Sequence, residues 1–561
     1  MKTKNFLIAV ISITVVMNAR AVSKPINLSQ KIDSIISLQH TAGQPGGVIG
    51  VISGSDVVVK KSFGIMDVEN NKAITETTLF DIASVAKQFT AFAILLLEQD
   101  GKIELDRDIR YYLPDMPDYG HIITVRHLMQ HTSGVASTDW LRLLSGIPFD
   151  VKWTQQDEID IIYKYSCLNF EPNTKHVYSN SGYSLLAEIV NSASGMPLPG
   201  FLKKNVFTPL SMETAIIYYS PDIEQKNTAF GYEMLDDKAV LISSSEDYSY
   251  GQGNIFASLN DMINWGQNFI TPKVGGHELV NRMLTKYNTL ENGDSLSYTY
   301  GFYVSTYKGV KMVSHSGGIP GFRSRITIFP DDELVVITML NNESINSRAI
   351  ATGVAELFLA DRIFVKEVAP RIAVDLNYEK IEKYAGNYKM PDGMELEFAF
   401  ELDTFWLLLP GDQKFELFAE SDNEFFLKDF DAQVTFIDGS DGEVNEIIWH
   451  QGGNDYHASR TSEKVLLSIE EIASFAGDYY HPDLSTDYNV IFEDEQLKII
   501  PPATFERYFR ASIIPLNHVN GNIFATDRFG MVEFTRNSDK DVIGFVMLDI
   551  GRLQNVKFVR R

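Results

Sequence analysis

Residues 83–99 read ASVAKQFTAFAILLLEQ. Apolar side chains occupy nearly every face of the helix that this composition predicts, and such a helix is normally buried inside a domain. Gly101 follows the run, as is typical of a helix C-terminus. Ser84 and Lys87 stand at positions i and i+3 at its start, so their side chains share one face and can come within hydrogen-bond reach. The segment therefore predicts a buried helix that carries a polar pair in its first turn.

The Ser84–Lys87 pair has the composition of an activated nucleophile. A serine hydroxyl is a weak nucleophile until a neighbouring base takes its proton. Lysine can be that base when burial and positive neighbours lower its pKa, and helix N-terminal amides stabilise developing negative charge. Short S-x-x-K matches also occur by chance, and the alternative is a helix-start serine with a surface lysine. Because the helix is otherwise apolar, a surface position for Lys87 is disfavoured.

Two further motifs carry groups that acyl chemistry uses. Tyr178-Ser-Asn180 ends a polar loop before an amphipathic helix; a phenol can relay protons, and an amide can hydrogen-bond a substrate carbonyl. His315-Ser-Gly-Gly318 ends a predicted strand; its glycines permit close approach of backbone and substrate, and an amide there can complete an oxyanion hole. Taken alone, the first motif is a turn with a helix cap and the second a Gly-rich turn.

Composition excludes several classes of protein. The 561 residues include 74 acidic and 49 basic side chains, a net charge of −25, whereas a nucleic-acid binder needs a basic face. The single cysteine, Cys167, rules out an intramolecular disulfide and a Cys-rich metal site, and we expect it to be an inert buried thiol. The chain contains no H-E-x-x-H, G-x-G-x-x-G or P-loop motif. We therefore expect no metal and no cofactor.

The first 21 residues have the pattern of a secretory signal peptide. Lys2 and Lys4 precede an apolar run over residues 6–17, and Ala19 and Ala21 supply small residues two apart. The run is shorter than the roughly 20 apolar residues that span a bilayer, which disfavours the alternative of a membrane anchor; a buried N-terminal helix is the other alternative. We expect cleavage after Ala21 and a periplasmic or secreted protein without stable membrane insertion.

Residues 22–365 are predicted to form one mixed unit. β-Branched residues alternate around a Gly-Ser-Asp turn over residues 47–64, and strand patterns return at residues 311–314, 324–329 and 334–340. Residues 121–270 between them are helical or loop-like. Strands at both ends with helices between predict an α/β sandwich with an inserted helical subdomain.

The C-terminal part repeats. EKIEKYAGNY at residues 379–388 matches EEIASFAGDY at residues 470–479, and short alternating strands with turn signals follow each copy. An all-β repeat of about 90 residues has the size of a small barrel or sandwich. After a linker at residues 365–375, we therefore predict two small antiparallel β-barrels at residues 376–462 and 467–561. A continuous solenoid, which needs about three units or more, is disfavoured.

The order S-x-x-K, Y-x-N, H-x-G, with each motif in its structural setting, resembles the serine β-lactamase and penicillin-binding protein superfamily. The resemblance is closer to class C β-lactamases and their relatives, the D-aminopeptidases, D-alanyl-D-alanine carboxypeptidases and family VIII esterases. It covers roughly residues 27–365. Further agreeing stretches are VRHLMQHTSG at 125–134, PLSM at 209–212, GQGN at 251–254, YGF at 300–302 and GIPG at 318–321.

The resemblance implies a role for each motif residue. Ser84 would be the acylated nucleophile and Lys87 its general base. Tyr178 would protonate the leaving group and activate the deacylating water, and Asn180 would hold the substrate amide. The backbone amides of Ser84 and Gly318 would form the oxyanion hole.

His315 is a departure from true β-lactamases, which have lysine there in a K-T-G motif. An H-x-G variant resembles the aminopeptidase and esterase branches and disfavours efficient penicillin hydrolysis. We expect His315 to be mainly neutral and to hydrogen-bond the Tyr178 phenol. His127 and His131 match a family motif that packs the helical region, so we expect structural roles for both.

The resemblance predicts an exported serine hydrolase that cleaves amide bonds of short peptides or D-amino-acid derivatives. Two alternatives stay open: an esterase or lactone hydrolase using the same site, and a penicillin-binding sensor that acylates without turnover. The predicted partner is a small-molecule or short-peptide substrate, with a homo-oligomer compatible with the sequence. The two barrels resemble lipocalin-like barrels appended to D-aminopeptidases, where a barrel loop can restrict substrate size; a separate binding role is equally open. We also expect residues 22–375 to fold alone.

Overall fold

The structure is a computed structural model. It describes residues 28–223, 226–242, 246–286, 288–364, 371–374, 381–390, 394–401, 404–409, 413–439, 443–451, 454–461 and 465–561. The predicted signal peptide at residues 1–21 lies outside these residues, as does most of the predicted linker at residues 365–375.

The N-terminal unit combines a central sheet with helices on both faces and a mainly helical insertion. Its elements in chain order are α1 (Leu28–Ser37), β1 (Gly47–Ser53), β2 (Asp56–Phe63), β3 (Ile65–Asp67), β4 (Lys72–Ala73), β5 (Phe80–Asp81), α2 (Lys87–Gln99), α3 (Val125–Met129), α4 (Thr138–Leu144), β6 (Trp153–Thr154), α5 (Gln155–Lys164), α6 (Asn180–Ser194), α7 (Leu198–Leu202), β7 (Ile216–Ile217), β8 (Tyr232–Leu235), β9 (Lys238–Leu241), β10 (Asp247–Tyr248), β11 (Ile255–Ala257), α8 (Leu259–Gln267), α9 (Gly276–Met283), β12 (Tyr303–Tyr307), β13 (Val310–Ile319), β14 (Phe322–Phe329), β15 (Leu334–Leu340) and α10 (Ser347–Leu359).

The central sheet is antiparallel, with strand order β12-β13-β14-β15-β1-β2. Every side chain of β15 is buried, because the sheet is covered on both faces. Val335 and Ile337 point to the core that contains α2, α6 and α8, and Val336 points to the core that contains α1 and α10. This alternation follows from the period of two in a strand. It confirms the predicted α/β sandwich, in which α2 is enclosed by the helical insertion.

The C-terminal part forms two closed eight-stranded antiparallel barrels. The first barrel contains β16 (Gly386–Lys389), β17 (Glu395–Glu401), β18 (Thr404–Leu409), β19 (Gln413–Ala419), β20 (Glu424–Leu427), β21 (Ala432–Asp438), β22 (Val444–Gln451) and β23 (Asn454–Arg460). The second follows α11 (Ile469–Ala473) and contains β24 (Gly477–His481), β25 (Thr486–Glu493), β26 (Gln496–Ile500), α12 (Thr504–Phe509), β27 (Ile514–Asn520), β28 (Ile523–Ala525), β29 (Met531–Arg536), β30 (Val542–Ile550) and β31 (Leu553–Arg560). Both predicted barrels are confirmed.

The repeat visible in the sequence is the opening turn of each barrel. Tyr388 donates its hydroxyl proton to the carbonyl oxygen of Tyr384 (3.2 Å), and Tyr479 makes the matching bond to Phe475 (2.6 Å). All four rings are buried. A buried phenol needs a partner for its hydroxyl, so this tyrosine and the turn before it are retained together in both barrels.

The second barrel packs against the N-terminal unit. One hydrophobic core joins residues of α4 and α5 to the barrel interior, whereas the core of the first barrel contains only residues between Ile381 and Ala458. Tyr488 donates to the carbonyl oxygen of Leu144 (3.1 Å) and Thr504 to that of Leu143 (3.0 Å). These two bonds add donors from the barrel to carbonyl groups at the C-terminal end of α4; the Leu143 oxygen also accepts from the Gly146 amide (3.2 Å).

This shared core changes the expectation that residues 22–375 fold alone. Ending the chain at residue 375 would uncover Leu143 and Leu144, which are 1% and 0% exposed. Fully burying one leucine contributes about 1.5–3 kcal/mol, a large part of a typical net stability of about 5–15 kcal/mol. We expect the truncated chain to lose at least roughly 10 °C in melting temperature or to aggregate. A melting temperature unchanged from the full chain would show that the interface adds no stability.

Candidate active site

Ser84 lies in a 3₁₀ turn, Ala83–Ala86, that leads directly into α2. Ala83 has φ 46°, a left-handed conformation that costs energy for a residue with a Cβ atom. The amide of Ala83 donates to the Asp81 carboxylate (2.7 Å), which holds this turn in place. Ser84 itself is half-buried. The nucleophile candidate therefore stands on a constrained turn at the start of a buried helix.

Lys87 is fully buried and makes three hydrogen bonds. Its Nζ lies 3.1 Å from Ser84 Oγ, 2.8 Å from Asn180 Oδ1 and 2.7 Å from the carbonyl oxygen of Gln252. The amide oxygen and the carbonyl oxygen only accept, so they occupy both N–H groups of a neutral amine. The lone pair of that amine then faces Ser84, where it can accept the hydroxyl proton.

Electrostatics favour the neutral form of Lys87. Burial lowers its pKa well below 10.5, and Arg552 lowers it further, while Asp139 and Glu158 act in the opposite direction. A low-dielectric surrounding disfavours the ammonium form. Both effects favour an amine that can act as a base at lower pH than an ordinary lysine.

Tyr178 packs directly beside this pair. Lys87 Nζ lies 4.9 Å from the centre of the Tyr178 ring, and the His131 ring covers Tyr178 at 4.1 Å between centroids. Burial raises the pKa of the phenol, against opposing effects from Ser84 and Arg552. Tyr178 therefore stays protonated at neutral pH and is an acid rather than a base in this surrounding.

Asn180 is the first residue of α6, and hydrogen bonds hold both its backbone and its side chain. Its amide N–H donates to Ser137 Oγ (2.9 Å), and its Oδ1 accepts from Lys87. This orientation leaves the side-chain Nδ2 to donate to a ligand carbonyl. The predicted contact with a substrate amide is compatible with the geometry.

His315 lies within β13, which continues to Ile319, so the H-x-G motif is inside a strand rather than at its end. Its Nδ1 lies 2.7 Å from the carbonyl oxygen of Ser316 and must donate to it, so Nε2 accepts from the Tyr298 hydroxyl at 3.0 Å. Burial, followed by the Lys87 charge, lowers the His315 pKa to about 3. The imidazole is therefore neutral, as expected. Its hydroxyl partner, however, is Tyr298 instead of Tyr178, because the Tyr178 ring lies 6.2 Å away between centroids.

A consequence concerns the pH dependence of activity. With a pKa of about 3, His315 does not change charge between pH 5 and 8, so any loss of activity in that range on acidification comes from another group. His315→Gln keeps a hydrogen-bonding group near Tyr298 and should leave the midpoint of the acid limb of kcat/KM unchanged. Profiles of wild type and variant between pH 4.5 and 9 test this; an acid limb that disappears in the variant would contradict it.

Glycine is required where β13 passes the nucleophile turn. A Cβ atom on Gly317 would lie 2.2 Å from the carbonyl oxygen of Ile82 and 3.1 Å from the Ala83 Cβ. Gly318, the next residue, is exposed. The strand therefore approaches the Ser84 turn closely at the point where the sequence predicts the second oxyanion amide.

Three other residues singled out in the sequence lie in different surroundings. His127 closes the capping box of α3 with Thr124, a structural role away from Ser84. His131 is buried and accepts from the Ser179 amide (3.1 Å), and it supports the ring of Tyr178. Cys167 is exposed, so the prediction of a buried thiol is wrong. It lies in the irregular connection after α5, where no helix or strand face buries it.

The structure adds residues that the sequence reasoning gave no role. Gln252 lies in the GQGN stretch, and its carbonyl oxygen binds Lys87. Glu158 is buried beneath the site with its pKa raised to about 7 by burial and Asp247, and it accepts from Ser184 (2.8 Å). Arg552 reaches the site from the second barrel. No motif adjacent in sequence indicated these contacts. Among the described residues, no group of His, Cys, Asp and Glu could hold a metal ion, and no helix is long and apolar enough to cross a membrane.

Comparisons with known proteins give the family and the fold. Residues 32–360 match the family described as Beta-lactamase, and residues 370–465 match a domain of unknown function, DUF3471. The chain is 28% identical over 448 residues to penicillin-binding protein 4* of Bacillus subtilis, covering 74% of this chain and 95% of that protein. It is 28% identical over 302 residues to a D-aminopeptidase of Gluconobacter oxydans, covering 54% of this chain and 56% of that enzyme.

Solved structures share the fold. The octameric penicillin-binding protein homologue from Pyrococcus abyssi superposes with a TM-score of 0.53 at 23% identity, over 77% of this chain and 99% of that one. The D-amino acid amidase from Ochrobactrum anthropi SV3 gives 0.51 at 22% identity, over 60% and 99%. The family match and these relatives place the chain in a superfamily of serine hydrolases. The family match extends over more than half of the chain, and the protein belongs to the β-lactamase family.

Proposed function

We propose that this protein is an exported serine amidase or peptidase that cleaves short peptides or D-amino-acid derivatives through an acyl-enzyme on Ser84. The observation that carries the proposal is the buried Lys87, whose two fixed acceptors direct its lone pair at the serine. Relatives named D-aminopeptidase and D-amino acid amidase support an amide substrate. The A-x-A pattern ending at Ala21 supports export.

Acylation begins with attack on the substrate carbonyl. Ser84 Oγ forms the bond to the carbonyl carbon while its proton passes to Lys87, and the amides of Ser84 and Gly318 stabilise the oxyanion. The carbon–nitrogen bond then breaks. Tyr178 gives its phenol proton to the leaving nitrogen and is reprotonated from Lys87, so the amine departs neutral and both groups regain their starting forms.

Deacylation passes the proton through Lys87 again. A water molecule attacks the acyl carbon, its proton passes to Lys87, and the bond to Ser84 Oγ breaks as that proton returns to the serine. Because burial raises the Tyr178 pKa, we assign the base role in this step to Lys87. Tyr178 is then the acid of the first step alone.

The assignment predicts the pH dependence of the reaction. Only the free amine of Lys87 can accept the Ser84 proton, so kcat/KM should fall as the pH drops through the Lys87 pKa. Burial and Arg552 hold this pKa well below 10.5. The midpoint of the acid limb of kcat/KM should therefore lie at a lower pH than the pKa of an ordinary lysine. Measuring kcat/KM from pH 5 to 10 tests this. A rate that rises only above pH 10 would contradict a neutral Lys87.

A substrate panel tests the function itself. D- and L-alanine p-nitroanilides, with the matching p-nitrophenyl esters, should show amide turnover with a preference for one enantiomer. Mass spectrometry after reaction with a fluorophosphonate should place the label on Ser84. Ester turnover with no amide turnover would overturn the amidase proposal. Stoichiometric Ser84 labelling with no steady-state product would overturn turnover altogether.

A further inference from the structure

The turn between β30 and β31 carries the second barrel into the site. Ile550 pairs with Leu553, so Gly551 and Arg552 form a two-residue hairpin loop. Gly551 has φ 62°, and a Cβ atom there would overlap the Trp140 indole at 2.0 Å. Glycine at the first loop position is typical of tight hairpins. Here it also lets the loop press against the helix α4.

Asn169 of the N-terminal unit forms hydrogen bonds with the backbone of this loop. The Nδ2 of Asn169 donates to the carbonyl oxygen of Arg552 (2.9 Å), and its Oδ1 accepts from the amide of Gln554 (3.1 Å). Asn169 is itself buried. The backbone of Arg552 is therefore held at both sides, and the guanidinium is presented at a defined position.

The guanidinium of Arg552 lies over the proton-donating tyrosine. Its central carbon is 4.7 Å from the centre of the Tyr178 ring, and Nη1 lies 3.2 Å from Asp139 Oδ2. The Arg552 side chain is 38% exposed. The cation thus faces the same space as Tyr178 while one of its N–H groups already binds a carboxylate.

We propose that Arg552 is the specificity residue that binds a free carboxylate on the leaving part of the substrate. This inference rests on the proposed amidase function. In that reaction Tyr178 protonates the leaving nitrogen, and in an α-amino acid the carboxylate is separated from that nitrogen by a single carbon atom. A group at the Tyr178 ring is therefore placed for the carboxylate of a leaving amino acid.

Two other basic residues near the site, Arg323 and His315, are less suited to bind this carboxylate. Arg323 donates Nη1 to the carbonyl oxygens of Ile319 and Phe322 and pairs with Glu343. His315, where β-lactamases have a lysine, is neutral. Arg552 presents a planar fork of donors that matches a carboxylate, in a chain whose net charge is −25. Only Nη1 of Arg552 contacts Asp139 among the described residues, and the opposite side of the guanidinium would bind the substrate carboxylate.

The test compares leaving groups with and without the carboxylate. The substrates are D-alanyl-D-alanine, its C-terminal amide, and D-alanine p-nitroanilide, at a pH on the plateau of each profile. Wild type should prefer the free acid over the amide by about 10- to 100-fold, the range of one charge-assisted hydrogen bond. Arg552→Met should remove this preference mainly through KM. Because Arg552 also lowers the Lys87 pKa, any further change in rate should be common to all three substrates and should not alter their ratios. Arg552→Lys should keep part of the preference.

A matched variant separates recognition of the substrate carboxylate from packing of the second barrel against the N-terminal unit. Arg507 forms an ion pair with Asp150 across the same barrel interface (2.6 Å), and no contact joins it to Ser84, Lys87 or Tyr178 in the described part of the chain. Arg507→Gln should retain the wild-type preference for the free acid. The proposal would be overturned if Arg507→Gln lost the preference for the free acid as fully as Arg552→Met does. It would also be overturned if Arg552→Met lowered kcat/KM equally for all three substrates.

A second readout separates this inference from the proposed function. N-acetyl-D-alanine should slow fluorophosphonate labelling of Ser84 in wild type more than N-acetyl-D-alanine amide does, and this difference should vanish in Arg552→Met. Turnover of the p-nitroanilide without either carboxylate effect would overturn the role of Arg552 alone. Carboxylate-dependent protection without any amide turnover would overturn the amidase function and retain the carboxylate site.

Discussion

Replacing Ser84 by alanine is expected to lower kcat by at least about 10³-fold, as loss of the nucleophile does in other serine hydrolases. The variant removes one hydroxyl from a turn that the Ala83–Asp81 bond and the apolar face of α2 hold independently. We therefore expect an unchanged melting temperature. The measurement is steady-state turnover of an aminoacyl p-nitroanilide, with mass spectrometry of the fluorophosphonate-treated protein.

Ser194 supplies the control for this variant. It lies at the C-terminal end of α6, where its hydroxyl bonds only the backbone of its own helix and of Met196 among the contacts described. Ser194→Ala should keep wild-type turnover within about 2-fold. If Ser84→Ala kept more than a tenth of wild-type activity, the nucleophile would have to be another residue.

Replacing Lys87 by methionine is expected to lower kcat/KM by about 10³-fold or more, because the base for both half-reactions is lost. Methionine has a similar length, but it leaves Asn180 Oδ1 and the Gln252 carbonyl without the Lys87 donor, so the melting temperature is measured beside the activity. Ser84 should still react with a fluorophosphonate, at a much lower rate. The acid limb assigned to Lys87 should disappear from whatever activity remains.

Lys102, exposed just beyond the end of α2, is the matched control. Lys102→Met makes the same substitution near the same helix without contact to Ser84, and should retain full activity and the wild-type pH profile. An acid limb that persists with an unchanged midpoint in Lys87→Met would assign the titration to another group. That result would remove the neutral-amine argument on which the mechanism depends.

The fold class and the Ser84–Lys87 pair could be predicted from local patterns in the chain. The apolar run after Ser84 predicts burial of α2 because hydrophobic periodicity is a local property of the chain. The i, i+3 spacing places Lys87 beside Ser84 for the same reason, and their Oγ–Nζ distance is 3.1 Å. The repeated YAGNY and FAGDY openings predict two barrels, because each repeat carries its own turn and its own core.

The distant residues that complete the site could not be predicted, because they meet only in the folded chain. The partner of His315 is Tyr298, the third contact of Lys87 is a backbone carbonyl at Gln252, and the cation beside Tyr178 comes from Arg552. Cys167 is exposed for the same kind of reason, since its surroundings depend on how the connection after α5 runs past the second barrel. These contacts join segments up to several hundred residues apart. They arise from how separately patterned units pack, and the shared core that docks the second barrel onto α4 is what places Arg552 at the active serine.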